Sequence, residues 1–260
     1  MKEAVVKIGG GGIRYVEEGE TGARPLLYIH GNTGSARWFE RVMRVPGWRT
    51  LALDLPNFGA SDPLPGRVSI AAYADAVVGF CDALGLDRPL LAAHSLGGAV
   101  ALELAARLPS AWRGLVLVDS ASPTGLKTPV DRHPLIDLMR TDRAFLAQAL
   151  KAVVPGLADP VFFEALVDDA FKMAAPAWIG NAVALSDFNL AGRLASFAAP
   201  VLVLWGRKDA IVTEAMAVET RDAFLQARLE ILEGVGHSVI VEDPGLFLRH
   251  LAAFSAGLAS

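Results

Sequence analysis

Residues 90–99 read Leu90-Leu91-Ala92-Ala93-His94-Ser95-Leu96-Gly97-Gly98-Ala99. Uninterrupted apolar residues run into a histidine and a serine, and helix-like sequence continues to Leu108. An apolar run of this length suits a strand covered on both faces. The spacing therefore predicts a strand, a sharp turn carrying Ser95, and a helix. A serine on such a turn is lifted above the sheet edge in strained backbone, and small residues two before and two after it let strand and helix approach. Gly97 is the second of these, and Ala93 stands where a first glycine is usual. Capping of the following helix is the other use of a serine here.

The same rhythm extends in both directions. Val5–Ile8 and Ile13–Val16 bracket glycines 9 to 12 and read as a hairpin. Those glycines lack a following Lys-Ser/Thr, so a turn and not a phosphate loop is expected. Apolar runs at 26–29, 50–53, 115–118 and 201–204 predict further buried strands, and 229–232 an edge-side one. Helices are expected at about 35–45, 70–84, 96–108, 214–225 and 244–257. Arg37, Arg41 and Arg44 would share a solvated face of the first. Strands alternating with helices imply one doubly wound α/β sheet. From Ala121 to Ala199 no buried strand is apparent, and prolines at 123, 129, 134, 155, 160 and 176 punctuate helical spacing. A strand–helix connection needs only a few residues. This interval therefore reads as a helical insertion between core segments 1–120 and 200–260.

Composition narrows the function classes. The chain has 260 residues, with 24 Lys and Arg against 28 Asp and Glu, a net charge of −4. No basic field exists to hold a nucleic-acid backbone. The only cysteine, Cys81, excludes an intrachain disulfide and reads as a buried, inert thiol. Histidines 30, 94, 133, 237 and 250 are scattered without ligand spacing, so no metal site is expected. Charges at 2, 3 and 7 exclude a secretory signal at the start, and Leu90–Leu108 is broken by polar residues, so no membrane span is expected. The expectation is a soluble cytoplasmic protein. The sequence carries no signal for an oligomeric state.

The chemistry-bearing residues fall at strand ends. His237, in Gly234-Val235-Gly236-His237-Ser238, follows the last expected strand. An imidazole with an ordinary pKa near 6.5 can take a proton from a serine at neutral pH. Asp209 ends Trp205-Gly206-Arg207-Lys208-Asp209, where a carboxylate can hold the far ring nitrogen of that histidine. Asp119 also ends a strand and is the alternative acid; the spacing from Trp205 favours Asp209. His30-Gly31-Asn32-Thr33-Gly34-Ser35 follows the strand at 26–29. There the N–H groups of Asn32 and of Leu96, the residue after the serine, would form an oxyanion hole. His30 is read as a brace for its loop.

HGNTGS at 30–35, LDLPNFGASD at 53–62, AHSLGG at 93–98, WGRKD at 205–209 and GVGHSVIVEDP at 234–244 together resemble the α/β-hydrolase fold family. The resemblance runs over about 180 residues flanking the insertion. It implies an eight-stranded, mostly parallel sheet flanked by helices, a Ser95–Asp209–His237 triad, and a helical cap inserted after the sixth strand. It also implies a structural turn at Asp54, Pro56, Gly59 and Ser61, and a last helix starting at Glu242 and Pro244. Ser95 replaces the aspartate nucleophile of haloalkane dehalogenases and epoxide hydrolases, and Leu96 the tryptophan beside it in the former. Ser238 stands where ring-cleavage carbon–carbon hydrolases carry tryptophan, and Gly236 where haloperoxidase-like members carry proline.

Within the resemblance these departures leave ester, thioester or lactone hydrolysis, and the expectation is a serine hydrolase acting on a small-molecule carboxylic ester without cofactor. A thioesterase, lactonase, carbon–carbon hydrolase or non-catalytic ligand receptor are the alternatives. A cap above the strand ends would line the crevice with apolar side chains. Leu138, Met139, Phe162, Phe163, Phe171, Met173, Trp178 and Phe188 are the candidates.

Overall fold

A computed structural model describes residues 1–63 and 65–258. Eight strands, β1 (Lys2–Ile8), β2 (Gly11–Glu18), β3 (Arg24–Ile29), β4 (Trp48–Leu53), β5 (Leu90–His94), β6 (Gly114–Val118), β7 (Val201–Gly206) and β8 (Ala227–Leu232), form one sheet. Their order is β1-β2-β4-β3-β5-β6-β7-β8. β1 with β2 and β2 with β4 pair antiparallel, and every other pairing is parallel. The expected α/β class and mostly parallel sheet are thus observed. Gly9 and Gly10 make the first hairpin turn at φ 55° and 89°, left-handed values that favour glycine.

Register sets up the site. His94 pairs with Val118, and Val118 with Leu204, so β5 and β6 end in one row and β7 runs two residues past it to Gly206. The chain passes from β3 to β4 on one side, then crosses back over β3 to reach β5. The loops leaving β3 and β5 therefore diverge, and such a switch point opens a crevice at the carboxyl ends of the strands.

Helices α1 (Ile70–Ala83), α2 (Leu96–Arg107), α7 (Glu214–Asp222) and α9 (Pro244–Ala256) match expected segments. Ser69 caps α1 through Ala72 N–H and Thr213 caps α7 through Met216 N–H. The helix expected over 35–45 is instead a 3-10 helix, Ala36–Val42. Its ends are fixed by neighbours: Asp54 takes Ala36 N–H at 2.7 Å and Thr50 Oγ1 donates to Met43 O at 2.5 Å. A four-residue helix, α8 (Val239–Glu242), precedes α9 and is not foreshadowed in the sequence.

Between β6 and β7 lie α3 (His133–Thr141), α4 (Arg143–Val153), α5 (Pro160–Phe171) and α6 (Ala175–Asp187). Asp142 and Asp159 cap α4 and α5. No helix among the described residues is long and apolar enough to cross a membrane. The arginine face after β3 is solvated at Arg41 and Arg44, and it also carries ion pairs to the insertion. Arg37 Nε donates to Asp169 Oδ2 at 2.7 Å, Ser35 Oγ to the same oxygen at 3.0 Å, and Arg41 pairs with Asp159 at 2.5 Å. Two of the three arginines therefore bolt the 3-10 helix to α5, which periodicity alone does not reveal.

Candidate active site

Ser95 sits between β5 and α2 at φ 52°, ψ −114°. A non-glycine residue there stores on the order of 1–3 kcal/mol of strain. Main-chain bonds hold it: Ser95 N–H donates to Val118 O at 3.0 Å, and Ser95 O accepts from Gly98 N–H at 2.9 Å. The close approach needs Gly97, where a Cβ would stand 2.4 Å from Ile29 O and 2.5 Å from His30 O. Ala93 is fully buried in β5 between Ile29 and Leu117, and its methyl is accommodated. Ser95 makes no side-chain cap for α2, so the capping use is not realised. Its Oγ has no hydrogen-bond partner among the described residues.

His237 is buried and held from several sides. Its Nδ1–H donates to Asp209 Oδ2 at 2.8 Å, which leaves Nε2 of the neutral ring bare. Its N–H donates to Val153 O, the last residue of α4, at 2.9 Å. Its carbonyl accepts from His94 Nε2–H at 2.8 Å, and the two rings lie 4.9 Å apart. Burial and the neighbouring His237 lower the His94 pKa to about 3, so His94 is a neutral donor. Glu242 takes the flanking Gly236 and Ser238 N–H groups at 3.0 and 3.1 Å, and Gly156 N–H of the insertion at 2.8 Å. Glu242 therefore clamps the histidine loop and lies before α9, which starts at Pro244 with Asp243 as its cap.

Asp209 Oδ1 accepts from Ile211 and Val212 N–H at 2.7 and 3.0 Å. Burial pushes its carboxyl up, but the His237 hydrogen bond, the electrostatic pull of that ring and these N–H groups outweigh burial and leave it below the ordinary range. Asp119 stands beside it at φ 45°, also buried, with Oδ1 accepting from Gly206 N–H at 2.8 Å. Burial and the Asp209 charge hold Asp119 well above the usual carboxylate range. The structure thus brings Asp209, and not Asp119, to the histidine ring.

The loop after β3 is braced as expected. Leu55 N–H donates to His30 Nε2 at 2.9 Å, which fixes the tautomer, so His30 Nδ1–H donates to Gly31 O at 2.7 Å. A Cβ on Gly31 would stand 2.9 Å from Ser95 Cβ, so this loop abuts the elbow. The Asn32 and Leu96 N–H groups make no backbone hydrogen bond among the described residues. Asp54 anchors the next turn, accepting from Ala36 and Ala60 N–H, in keeping with its expected structural role.

The apolar candidates of the insertion scatter. Met173 lies at the site's edge, its Sδ 3.6 Å from Asn181 Nδ2, while Asn181 Nδ2 also donates to Asn32 Oδ1 at 2.8 Å. Trp178 is buried behind it, donating Nε1–H to Met173 O. Phe162 packs under Arg41, Phe163 near Lys151, Phe188 is buried and Met139 half-buried. Leu138 and Phe171 lie at the surface, 41% and 39% exposed, and α3 buries no residue at all. Sequence reasoning missed His94, Asn181 and Glu242 as parts of the site. Among the described residues no cluster suits a metal ion, and burial raises the Cys81 thiol to about 12.

Comparison with known proteins gives a consistent answer. Residues 26–250 match the alpha/beta hydrolase family. The AB hydrolase superfamily protein YisY of Bacillus subtilis is 29% identical over 245 residues, spanning 89% of this chain and 91% of the relative. Lipase 1 of Psychrobacter immobilis is 26% identical over 255 residues, 88% of this chain and 75% of its own length. The enol-lactonase of Burkholderia xenovorans superposes with a TM-score of 0.88 at 21% identity, covering 97% of this chain and all of that one, a likeness of fold. With a match over most of its length, this chain belongs to the alpha/beta hydrolase family.

Proposed function

We propose that this protein is a serine hydrolase that cleaves carboxylic esters of small-to-medium apolar substrates through an acyl-enzyme intermediate. The observation that carries this reading is the buried Asp209–His237 pair, 2.8 Å apart, with the His237 carbonyl held by His94, the residue before the strained Ser95. His237 Nε2 removes the Ser95 hydroxyl proton as Oγ attacks the acyl carbon. The tetrahedral oxyanion rests on the Asn32 and Leu96 N–H groups, which have no other backbone acceptor. Collapse expels the alcohol, which takes the proton back from His237. Water, deprotonated by the same Nε2, then attacks the acyl-enzyme and releases the acid and free Ser95. No step needs a cofactor. The partner is a small-molecule ester, with no part for nucleic acid.

In this reading residues 121–199 act as a cap over a core formed by 1–120 and 200–260. Apolar side chains of the cap grade substrates by chain length, each buried methylene adding at most roughly 0.8 kcal/mol. The test is a stopped-flow burst of p-nitrophenol from a short acyl ester, with fluorophosphonate labelling of Ser95. Loss of both in Ser95→Ala supports the reading. No burst and no label in the wild type points to a ligand receptor. A panel of esters, thioesters, lactones and ring-cleavage diketones varied in chain length separates the chemistries. A marked preference for anionic substrates counts against the apolar pocket.

A further inference from the structure

A buried polar chain runs from the turn after β4 to Asn32 in the loop after β3. Asn57 Nδ2 donates to Tyr73 Oη at 3.1 Å, and Tyr73 O–H donates to Asn181 Oδ1 at 2.8 Å. Asn181 Nδ2 then donates to Asn32 Oδ1 at 2.8 Å. Asn57, Tyr73 and Asn181 are almost wholly inaccessible. Buried polar groups of this kind persist only when satisfied, and a satisfied network fixes orientation.

The direction of the chain follows from chemistry. The sulfur of Met173 accepts hydrogen bonds and donates none. It lies 3.6 Å from Asn181 Nδ2, so the amide nitrogen of Asn181 must be the end facing Met173 and Asn32. Asn32 therefore presents its oxygen to Asn181, and its Nδ2 group points away from that contact. Asn32 is part-exposed, and its two Nδ2–H donors meet no acceptor among the described residues. Its neighbour Gly31 is so close to Ser95 that a Cβ would lie 2.9 Å from Ser95 Cβ. An asparagine's Nδ2 lies within about 5 Å of its own backbone nitrogen.

We propose that the Asn32 carboxamide, pinned by Asn181 of the insertion, is a donor subsite for a second acceptor oxygen on the substrate, a few bonds from the reactive carbonyl. The substrate class is then an ester bearing a keto or ether oxygen on the acyl or the alcohol side, in preference to a plain alkanoate. The placement relative to the scissile bond rests on the serine-hydrolase reading. The donor itself rests on the polar chain alone.

Binding to Ser95→Ala protein tests this without turnover. Isothermal titration with phenyl hexanoate, phenyl 3-oxohexanoate and 2-methoxyphenyl hexanoate reads the preference, while turnover by the wild type separately tests the serine reading. At least one oxygen-bearing ester should bind fivefold or more tighter than phenyl hexanoate. Adding Asn32→Ala should bring all three within twofold. Adding Asn181→Asp instead should weaken the preferred ester at least fivefold, because the new carboxylate draws Asn32 Nδ2–H toward itself and out of the crevice. Circular dichroism confirms folding, and Asn32→Ala on its part-exposed loop serves if the buried carboxylate disrupts the protein. Equal affinities, no binding of any ester, or a preference that survives Asn32→Ala would overturn the proposal.

Discussion

His94 Nε2–H donates to the carbonyl oxygen of His237 at 2.8 Å, so the residue before the candidate nucleophile holds the main chain of the candidate base. His94→Phe keeps a ring on Trp38, whose centroid lies 5.2 Å away at 22°, but donates nothing. Leaving a buried carbonyl unpaired costs about 1–3 kcal/mol. Ester turnover should fall about tenfold in kcat, because the His237 main chain loses the donor that holds it. The variant should also be less acid-sensitive. His94 titrates near 3 in the fold against an ordinary 6.5, so its contribution is complete above pH 6.5 and lost as pH falls from there toward 3. Urea melts at pH 4.5 and 7.5 should show a narrower stability gap than the wild type, with His30, also held neutral by burial, supplying the remainder. An unchanged gap rejects the role.

The two strand-end aspartates should separate sharply in activity. Asp209→Asn favours the wrong histidine tautomer and should lower kcat by on the order of 10³–10⁴, as in serine-protease triads. Asp119→Asn should cost far less. Steady-state kinetics on one activated ester suffices, and a reversed order with both variants folded would move the acid to Asp119.

Asp119→Asn should also gain stability as pH rises. A carboxyl whose folded pKa is raised contributes fully below the unfolded value and loses that contribution as pH climbs through the folded one. Asn keeps an acceptor for Gly206 N–H and has no charge to desolvate. The difference in Tm, variant minus wild type, should be more positive at pH 8 than at pH 5; a flat or falling difference would mean Asp119 is ionised in the fold.

Gly97→Ala should destabilise at or above the upper end of the roughly 1–3 kcal/mol typical of overpacking, because the atoms met are main-chain oxygens that cannot swing aside. Gly22→Ala, with nothing within 4 Å of the added carbon, is the control and should be near neutral. Denaturant midpoints measure both.

Glu242→Gln leaves one acceptor oxygen where two now serve three N–H groups. The cost should be about 1–3 kcal/mol of stability. In kinetics kcat should drop while KM stays nearly constant, since the hydrogen-bond partners of Glu242 are main-chain N–H groups of the histidine loop and of Gly156. A rise in KM alone would place it with the binding groups instead.

Much of this was legible in the sequence because it is local. Ser95 with Gly97, Asp209 after Trp205, and His237 between glycines each declare themselves within a few residues, and apolar runs name the strands. Hidden from the sequence were the partners across the fold. His94 reaches 143 residues to His237, Asn181 reaches 149 to Asn32, and Ser35 reaches 134 to Asp169. Periodicity says that a face is buried and leaves open which polar atom waits there. In the insertion, periodicity marks apolar residues without saying which neighbour each meets: Leu138 is 41% exposed on α3, and Phe162 lies under the Arg41 guanidinium.

The bond from His237 N–H to Val153 O has a consequence for engineering. Swapping specificity between relatives by grafting a foreign helical segment between residues 121 and 199 replaces both the carbonyl that holds His237 and the N–H that meets Glu242. A chimera joined at those borders keeps the His237 loop in place only where the new segment sets main-chain groups at the same two points. Transplants should instead carry the turn after α4 and the loop 235–242 as a matched pair.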